Sequence, residues 1–253
     1  MKIIISPAKK MRADPDTLPV SGLPRFLAKT EILMRAIQEL DYARAKTLWK
    51  CSDRLAELNF QRFREMDLCR GLTPAVLAYE GLQYQHMAPG VRPARALGYL
   101  GAHLRILSGF YGVLAPFEGV VPYRLEMQAP LRAGGKRDLY EFWGRQIYEA
   151  ILDPDRQIIN LASREYAKAV EPYLSPGDRF LTLEFGELEK GKLKQKGTFA
   201  KMARGEMVRF LAENQVEDPE EIKTFRGLGL AYCEELSDES RFCFAKEKKG
   251  ESL

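Results

Sequence analysis

The chain begins with a short apolar segment that constrains what can be built around it. Ile3, Ile4 and Ile5 are consecutive β-branched residues, and Ser6-Pro7 ends the run. A run of this kind predicts a buried strand that leads directly into a loop. It is too short for a signal-peptide apolar region or a membrane span. We therefore expect a cytoplasmic protein with no membrane partner.

Strand-like and helix-like segments alternate along the rest of the chain. Strands are predicted over 105–108, 157–161, 180–188, 192–196 and 241–245, with the third and fourth paired as a hairpin across Lys190-Gly191. Helices are predicted from Pro24 to about Glu65 with a break at 39–42, and over 94–103, 139–152 and 199–214. Further helices are predicted after Ser163, as N-cap, and after Pro219, whereas 71–92 and 109–123 lack a regular pattern.

This alternation favours a mixed α/β (α+β) fold, with a central mixed sheet flanked by helices. The 253 residues, 45% of them hydrophobic, are enough for one large core. No linker divides the chain, so we expect one domain over 1–253, with a helical N-terminal subregion at about 24–66 and a frayed tail at 246–253. We expect a monomer.

Cysteine usage and charge exclude some classes of protein. Cys51, Cys69, Cys233 and Cys243 form no C-x-x-C pair, and a chain of this length does not need disulfides, so we expect four reduced cysteines. The net charge of +4, from 39 basic and 35 acidic residues, is too small to argue for nucleic-acid binding by itself. The distribution of the charge is more informative than its sum.

The loop after the first strand is the first candidate site. Loops at the carboxyl ends of strands in open sheets commonly bind ligands, and Lys9, Lys10 and Arg12 in this loop could hold phosphate. Ser6-x-x-Lys9 has the form of a serine–lysine nucleophile pair, which makes Ser6 and Lys9 candidate catalytic residues. That pair needs one helical turn between the two residues, which Pro15 disfavours. The alternative is that these lysines simply face solvent.

Arg124 and Glu126 form the second candidate site. They are two residues apart, so an extended segment places both on one face. They could form a structural ion pair or belong to a polar catalytic site, and the spacing alone does not decide between the two.

The strongest local charge lies between Lys190 and Arg209. This stretch contains seven basic residues and a single acid, Glu206, for a net charge of +6. A strand would place Lys192, Lys194 and Lys196 on one face, and a helix would stack Lys201 and Arg204 on one side. Such a surface could follow a phosphate backbone. The alternative is a solvated hairpin edge that its lysines protect against aggregation.

The break at Leu40-Asp41-Tyr42 is a further candidate for phosphate contact, since Lys46 and Lys50 follow it. Helix–hairpin–helix units bind phosphates in this way but usually contain glycines, and this break has none, so a plain helix corner is the alternative. No metal site is expected, because His86 and His103 are the only histidines and neither has ligand spacing. No cofactor motif occurs either.

Six blocks, taken together and in order, resemble the YaaA peroxide stress (UPF0246) family. Those blocks are Ile4-Ile-Ser-Pro-Ala-Lys9, Leu104-Arg-x-Leu-Ser-Gly-x-Tyr-Gly-Val-Leu114, Pro122-Tyr-Arg-Leu-Glu-Met127, Leu139-Tyr-x-Phe-Trp-Gly144, Ile159-Asn-Leu-Ala-Ser-x-Glu-Tyr166 and Ala200-Lys-x-Ala-Arg-Gly205. Each block is weak alone, but six in order over nearly the whole chain are specific.

The resemblance implies a peroxide-stress protein that limits iron-dependent damage to DNA. It also implies a family-specific fold with a basic cleft and a helix–hairpin–helix-like element that binds double-stranded or distorted DNA. Lys9, Arg124, Glu126, Lys201 and Arg204 match the family motifs. Three positions depart from the family pattern: Leu82 where an acid is common, Ala115 where arginine is common, and Gln128 where glycine is common.

Two main hypotheses follow. The first is a non-enzymatic DNA-binding protein with DNA contacts at Lys9, Lys10, Arg12, Lys46, Lys50, Lys194, Lys196, Lys201 and Arg204. The second is an enzyme acting on a nucleotide, base or nucleic acid in a pocket around Lys9, Arg124 and Glu126. An iron- or partner-binding regulator is a third possibility, but the lack of ligand spacing argues against direct iron binding, so any effect on iron would be indirect.

Overall fold

A computed structural model describes residues 1–246, and its secondary structure is a mixture of helices and strands. The strands are β1 (Lys2–Ile5), β2 (Lys10–Met11), β3 (Thr73–Pro74), β4 (Tyr79–Glu80), β5 (Leu104–Ser108), β6 (Gly112–Leu114), β7 (Gly119–Val120), β8 (Gln157–Leu161), β9 (Arg179–Glu189), β10 (Lys192–Lys194), β11 (Leu230–Tyr232) and β12 (Arg241–Lys246).

The α-helices are α1 (Leu27–Gln38), α2 (Tyr42–Trp49), α3 (Asp53–Arg64), α4 (Ala75–Ala78), α5 (Leu82–Met87), α6 (Ala94–His103), α7 (Leu139–Trp143), α8 (Gln146–Ile151), α9 (Arg164–Ala167) and α10 (Gly197–Asn214). Short 3-10 helices lie at Pro89–Val91, Glu171–Tyr173, Pro219–Thr224, Gly227–Gly229 and Glu234–Leu236. The mixed α/β prediction is confirmed.

The central sheet has the strand order β11-β12-β9-β8-β1-β5-β6, with β10 paired to β9. The five strands from β12 to β5 run parallel, and the strands at both ends of this order are antiparallel to their neighbours. Ile3, Ile4 and Ile5 are fully buried, as expected for a strand covered on both faces. The predicted buried strand is confirmed and lies in the interior of the sheet.

The parallel strands direct their loops to one edge. β1, β5 and β8 all run in the same direction, and each is followed by a loop at its carboxyl end. Ser6 follows β1, Gly109 follows β5, and Ser163 comes two residues after β8. This edge is where open parallel sheets usually bind ligands.

Glycine allows one of these loops to pack closely. A Cβ at Gly109 would lie 2.7 Å from the Leu125 carbonyl oxygen, so only glycine lets the backbone of 125–127 cross here. The hydroxyl of Ser108 accepts hydrogen bonds from the backbone N–H of Phe110 and Tyr111, at 3.1 and 2.9 Å, and so fixes this turn. The crossing holds Glu126 at the carboxyl edge of the sheet.

Three predicted elements are corrected. The helix predicted through Glu65 is two helices, because Lys50 adopts a left-handed backbone conformation (φ 44°) that ends α2. The helix predicted over 139–152 breaks at Gly144 (φ 51°). The predicted loop at 109–123 contains β6 and β7.

The basic hairpin also differs from its prediction. β10 ends at Lys194, and Lys196 is the residue that precedes α10, so Lys192, Lys194 and Lys196 do not share one strand face. The change to helical backbone at Gly197 ends the strand alternation on which that prediction depended. The predicted fraying of 246–253 falls, after Lys246, outside the described residues.

Candidate functional site

A cavity of about 500 Å³ lies at the carboxyl edge of β1 and β8, and we call it the strand-end cavity. Five separate parts of the chain contribute to it: the loop after β1, the start of α5, the 123–126 segment, the residues after β8, and α10. Its lining residues are Ser6, Pro7, Ala8, Lys9, Lys10, Glu80, Gly81, Leu82, Gln83, Tyr84, Tyr123, Arg124, Leu125, Glu126, Ser163, Glu165, Tyr166, Lys201 and Arg204.

The cavity brings together four candidate catalytic residues and four candidate DNA contacts. Ser6, Lys9, Arg124 and Glu126 all line it, as do Lys10, Lys201 and Arg204, with Lys9 belonging to both groups. Residues that lie far apart in the sequence therefore converge on one concave surface. Their functional roles stay predictions.

The other candidate DNA contacts lie outside the cavity lining. Lys194 pairs with Glu189 at 2.9 Å, and Lys196 pairs with Glu187 at 2.7 Å. Lys46 pairs with Asp53, and Arg12 pairs with Asp14 at 2.8 Å, while Lys50 is exposed at the end of α2. A role for these residues in DNA contact stays a prediction, and it needs a surface other than the strand-end cavity.

The predicted serine–lysine pair does not form. Residues 6–9 are not helical, so no turn brings Lys9 back to Ser6. The Ser6 hydroxyl instead accepts the Ser163 N–H at 2.8 Å and donates to the Ser163 hydroxyl at 3.1 Å. Ser163 is the N-cap residue of α9, as predicted, but its side chain makes no capping hydrogen bond. The two serines join β1 to β8.

Glu126 is held between two cations. Its carboxylate lies 2.8 Å from Lys9 Nζ and 3.4 Å from Arg124 Nη2, so the predicted Arg124–Glu126 pair exists. The side chains of Arg124 and Glu126 are only 11% and 19% exposed. The enzyme hypothesis required Glu126 to be in a pocket rather than on an open surface, and it meets this condition.

Glu165 is a second cavity carboxylate, and the sequence analysis did not select it. Its Oε1 accepts the backbone N–H of Gln128 at 3.2 Å. Burial raises the pKa of Glu165, repulsion from Glu126 adds to the rise, and the Gln128 N–H and Lys9 oppose it. Its position shortly after β8, inside the block 159–166, was the signal that could have found it.

Arg204 has no partner for its guanidinium group. It is mostly buried, and burial lowers its pKa, while Glu184 attracts it only from beyond ion-pair distance. Among residues 1–246 it makes no hydrogen bond, and its Nε is buried without an acceptor. Two further cavity atoms, Gln83 Nε2 and Arg124 Nε, are also buried without a hydrogen-bond acceptor in the described part of the chain. All three are N–H donors, so the wall of the cavity is short of acceptors.

Gln83 reaches the cavity through a close contact between helices. A Cβ at Gly205 would lie 2.8 Å from His86 Cβ and closer still to the Gln83 carbonyl oxygen, so only glycine permits this approach of α10 to α5. The contact places Gln83, whose residue is 7% exposed, beside Arg204 in the lining. No sequence signal marked Gln83, because its burial depends on this approach.

The three departures from the family pattern have different surroundings. Leu82 lines the cavity and contributes an apolar side chain to it. Ala115 lies outside the lining, and its N–H donates to Glu118 at 2.9 Å. The backbone N–H of Gln128 donates a hydrogen bond to Glu165 Oε1. Of the three positions, only Leu82 belongs to the cavity lining.

A model of the family described as "Peroxide stress protein YaaA" matches residues 1–236. The chain belongs to this family. A UPF0246 protein of Agathobacter rectalis is 50% identical over 98% of this chain and 99% of its own length. Others from Pediococcus pentosaceus and Lactiplantibacillus plantarum are 49% and 51% identical, over 98% and 96% of this chain and 99% and 98% of their own lengths.

Membership of the YaaA family links the chain to peroxide stress, as the resemblance implied. Within residues 1–246, no helix is both long and apolar enough to cross a membrane. Over the same residues, no group of three or more histidine, cysteine, aspartate or glutamate side chains is arranged to hold a metal ion.

Proposed function

We propose that this YaaA-family protein binds nucleic acid through the strand-end cavity, which receives a phosphate-bearing group, and thereby limits iron-dependent oxidative damage to DNA. The observation that supports this most directly is the mostly buried side chain of Arg204, which forms no ion pair or hydrogen bond with the described residues and whose Nε is buried without an acceptor. Nothing else in the cavity requires an anionic ligand so clearly.

An unpartnered buried charge is expensive. Removing an ionised group from water without a compensating partner costs several kcal/mol. Arginine stays protonated under these conditions, so the cost is not avoided by losing a proton. A phosphate group would offset it, because the planar guanidinium matches phosphate oxygens with paired hydrogen bonds. Lys201, one helical turn away, adds a second cation.

The charge balance of the whole lining also favours an anion. Lys9, Lys10, Arg124, Lys201 and Arg204 contribute five positive charges, against three carboxylates. Glu80 is paired to Lys10 at 2.8 Å and Glu126 to Lys9, so the carboxylates leave Lys201 and Arg204 unneutralised. The positive end of the cavity is therefore the α10 side.

The link to iron in this proposal is indirect. Phosphates that are bound by arginine and lysine release their counterions. A phosphate held in this way is not available to ferrous iron, so hydroxyl radicals form less often beside the protected DNA. No iron ligand is assigned to this chain.

Salt dependence tests the proposal. We would titrate fluorescently labelled duplex and bubble DNA with the protein at 50 and 200 mM salt. If about three phosphates are neutralised, affinity falls about forty-fold between these two salt concentrations. Absence of binding, or binding that does not change with salt, would discard the proposal.

Two matched double variants test the location. Lys201→Gln/Arg204→Gln and Lys194→Gln/Lys196→Gln each remove two positive charges from the same basic stretch. The first should weaken binding at least about ten-fold, since hydrogen bonds to charged groups contribute about 1.5–3 kcal/mol each. The second should change it less than about two-fold, because exposed ion pairs already occupy those lysines. Equal losses would show that the hairpin contributes to binding as much as the cavity does.

A further inference from the structure

Two of the three carboxylates in the strand-end cavity, Glu126 and Glu165, have opposite surroundings. Glu126 lies between Lys9 and Arg124, which balance its negative charge. Glu165 forms no ion pair with any of residues 1–246, and its Oε1 accepts the backbone N–H of Gln128 at 3.2 Å. Glu126 thus lies between two cations, whereas Glu165 is half-buried and has no cation of the described chain within ion-pair distance.

The surroundings of Glu165 also affect its protonation. Burial and the nearby charge of Glu126 raise the pKa of Glu165, so it retains a proton more readily than an exposed glutamate does. A pair of carboxyl groups whose surroundings differ in this way can supply a proton donor and a proton acceptor in one site. Phosphate binding alone requires neither group.

We propose that Glu165 and Glu126 are the general acid and general base for hydrolysis of the N-glycosidic bond of a nucleotide whose phosphate is held by Lys201 and Arg204. This inference rests on the proposed function, because the same cations bind the phosphate. Cleavage at an anomeric carbon by a pair of carboxyl groups, one with a raised pKa, is the usual chemistry of glycoside hydrolysis.

The step balances with water as the only co-reactant. Glu165 donates its proton to the base nitrogen as the C1′–N bond breaks, and the bonding electron pair leaves with the base. A water molecule attacks C1′ on the opposite face, and Glu126 accepts one of its protons. The products are the free base and a sugar phosphate with a hydroxyl group at C1′. Exchange with solvent returns a proton to Glu165 and removes one from Glu126.

The size of the cavity limits what can enter. The cavity volume of about 500 Å³ is within the range of small-molecule sites. A cavity of this size accommodates one nucleotide and excludes a duplex. A nucleotide of DNA would therefore have to leave the stack, as in enzymes that act on extruded bases. The ligand is a nucleotide unit in either case, whether free or part of a DNA strand.

The experiment has two substrate arms. Purified protein is incubated with the ribo- and deoxyribonucleoside 5′-monophosphates, and separately with bubble duplex DNA. Released base is measured by chromatography, and abasic sites by alkaline strand cleavage. Base release in the first arm identifies free nucleotides as the source, and abasic sites in the second identify extruded nucleotides.

Single variants test the two roles. Glu165→Gln and Glu126→Gln should each lower kcat at least about 100-fold, the usual contribution of general acid–base catalysis, while DNA affinity stays within about three-fold. Glu149→Gln is the control, since Glu149 is an exposed residue of α8 that pairs with Arg145 outside the cavity. Its kcat should not change.

The pH profile distinguishes catalysis from mere structural support. In the wild-type protein kcat should fall on the alkaline side as Glu165 loses its proton, and Glu165→Gln should lack that limb. The charged groups that share the cavity with Glu165 are Lys9, Lys10, Glu80, Arg124, Glu126, Lys201 and Arg204. None of these is altered in the Glu165 variant.

The outcomes separate the two proposals. Nucleic-acid binding without base release in either arm overturns the hydrolytic activity and leaves the binding function standing. Loss of both overturns both. An alkaline limb that persists in Glu165→Gln overturns the assignment of Glu165 as the acid.

Discussion

The strand-end cavity and the β9–β10 hairpin are both rich in basic residues, but the basic side chains of the two regions differ in exposure and in ion pairing. At the hairpin, Lys194 and Lys196 pair with glutamates of β9, and all four hairpin lysines remain exposed to water. In the cavity, the Arg204 side chain is mostly buried, and its buried Nε has no acceptor within residues 1–246. An exposed lysine without a partner is solvated at little cost, whereas a buried arginine is not.

The comparison shows that a count of basic residues is a poor guide to a binding site. The stretch from Lys190 to Arg209 looks uniform in sequence, yet only its helical part, through Lys201 and Arg204, reaches a cavity. What distinguishes the two regions is whether each charged group is buried and whether it has a partner. Four variants test this difference.

The largest effect is expected where the cavity depends on a close helix contact. Gly205→Ala should destabilise the protein by about 2–4 kcal/mol, because a Cβ there would collide with Gln83 and His86 of α5. Chemical denaturation measures the change. Gly197→Ala is the control on the same helix, where a Cβ meets nothing within 4 Å, and it should be neutral or stabilising. Equal effects would mean that the α5–α10 contact is not tight.

Arg204→Met should make the ligand-free protein more stable by about 1–3 kcal/mol, because it removes a buried charge that has no partner. Nucleic-acid affinity should fall in the same variant. Lys196→Met should leave the midpoint of denaturation unchanged. A destabilised Arg204→Met protein would show that the guanidinium is satisfied within the fold, and it would remove the main argument for an anionic ligand.

Gly186→Ala tests whether the β9–β10 hairpin contributes to DNA binding. A Cβ at Gly186 would lie 2.5 Å from the Lys194 carbonyl oxygen, so the variant should disturb the β9–β10 pairing and cost about 1–2 kcal/mol. If the cavity is the binding site, DNA affinity under folding conditions should stay within about two-fold. A large loss of affinity would instead favour the hairpin.

The smallest effect concerns pH. Because the pKa of Glu165 is raised in the folded state, the folded protein holds this proton more tightly than the unfolded chain. The site therefore destabilises the fold as pH rises above the ordinary glutamate pKa and through the folded value. Glu165→Gln removes this penalty, so its stability relative to wild type should be higher at pH 7 than at pH 4. Glu149→Gln should show no such trend.

Local patterns were sufficient to predict most elements. The β-branched run at Ile3–Ile5, the alternation in β9 and the apolar stripe of α10 each depend on residues close in sequence. The breaks at Lys50 and Gly144 were missed because each depends on one left-handed residue within an otherwise helical pattern. Sequence periodicity does not report a single backbone angle.

The site was predictable only in part, for a related reason. Lys9, Arg124 and Glu126 follow strand ends or share an extended segment, so their position could be anticipated. Gln83 and the isolation of Arg204 depend on how α5 packs against α10, and hydrogen-bond partners cannot be counted before the packing is known. The ion pair between Lys196 and Glu187 could not be predicted either, because it also depends on the packing of the folded chain.

The interior position of β1 has a consequence for how this protein is made. Ile3 pairs with Leu104 on one side and with Ile159 on the other, so β1 is translated before both of its partners and has to wait for them. The α10 wall of the cavity is synthesised later still. A nascent chain halted before β8 would leave one edge of β1 unpaired, and a chain halted before α10 would lack the cavity wall that carries Lys201 and Arg204. Ligand binding should therefore report completion of the sheet as far as β10.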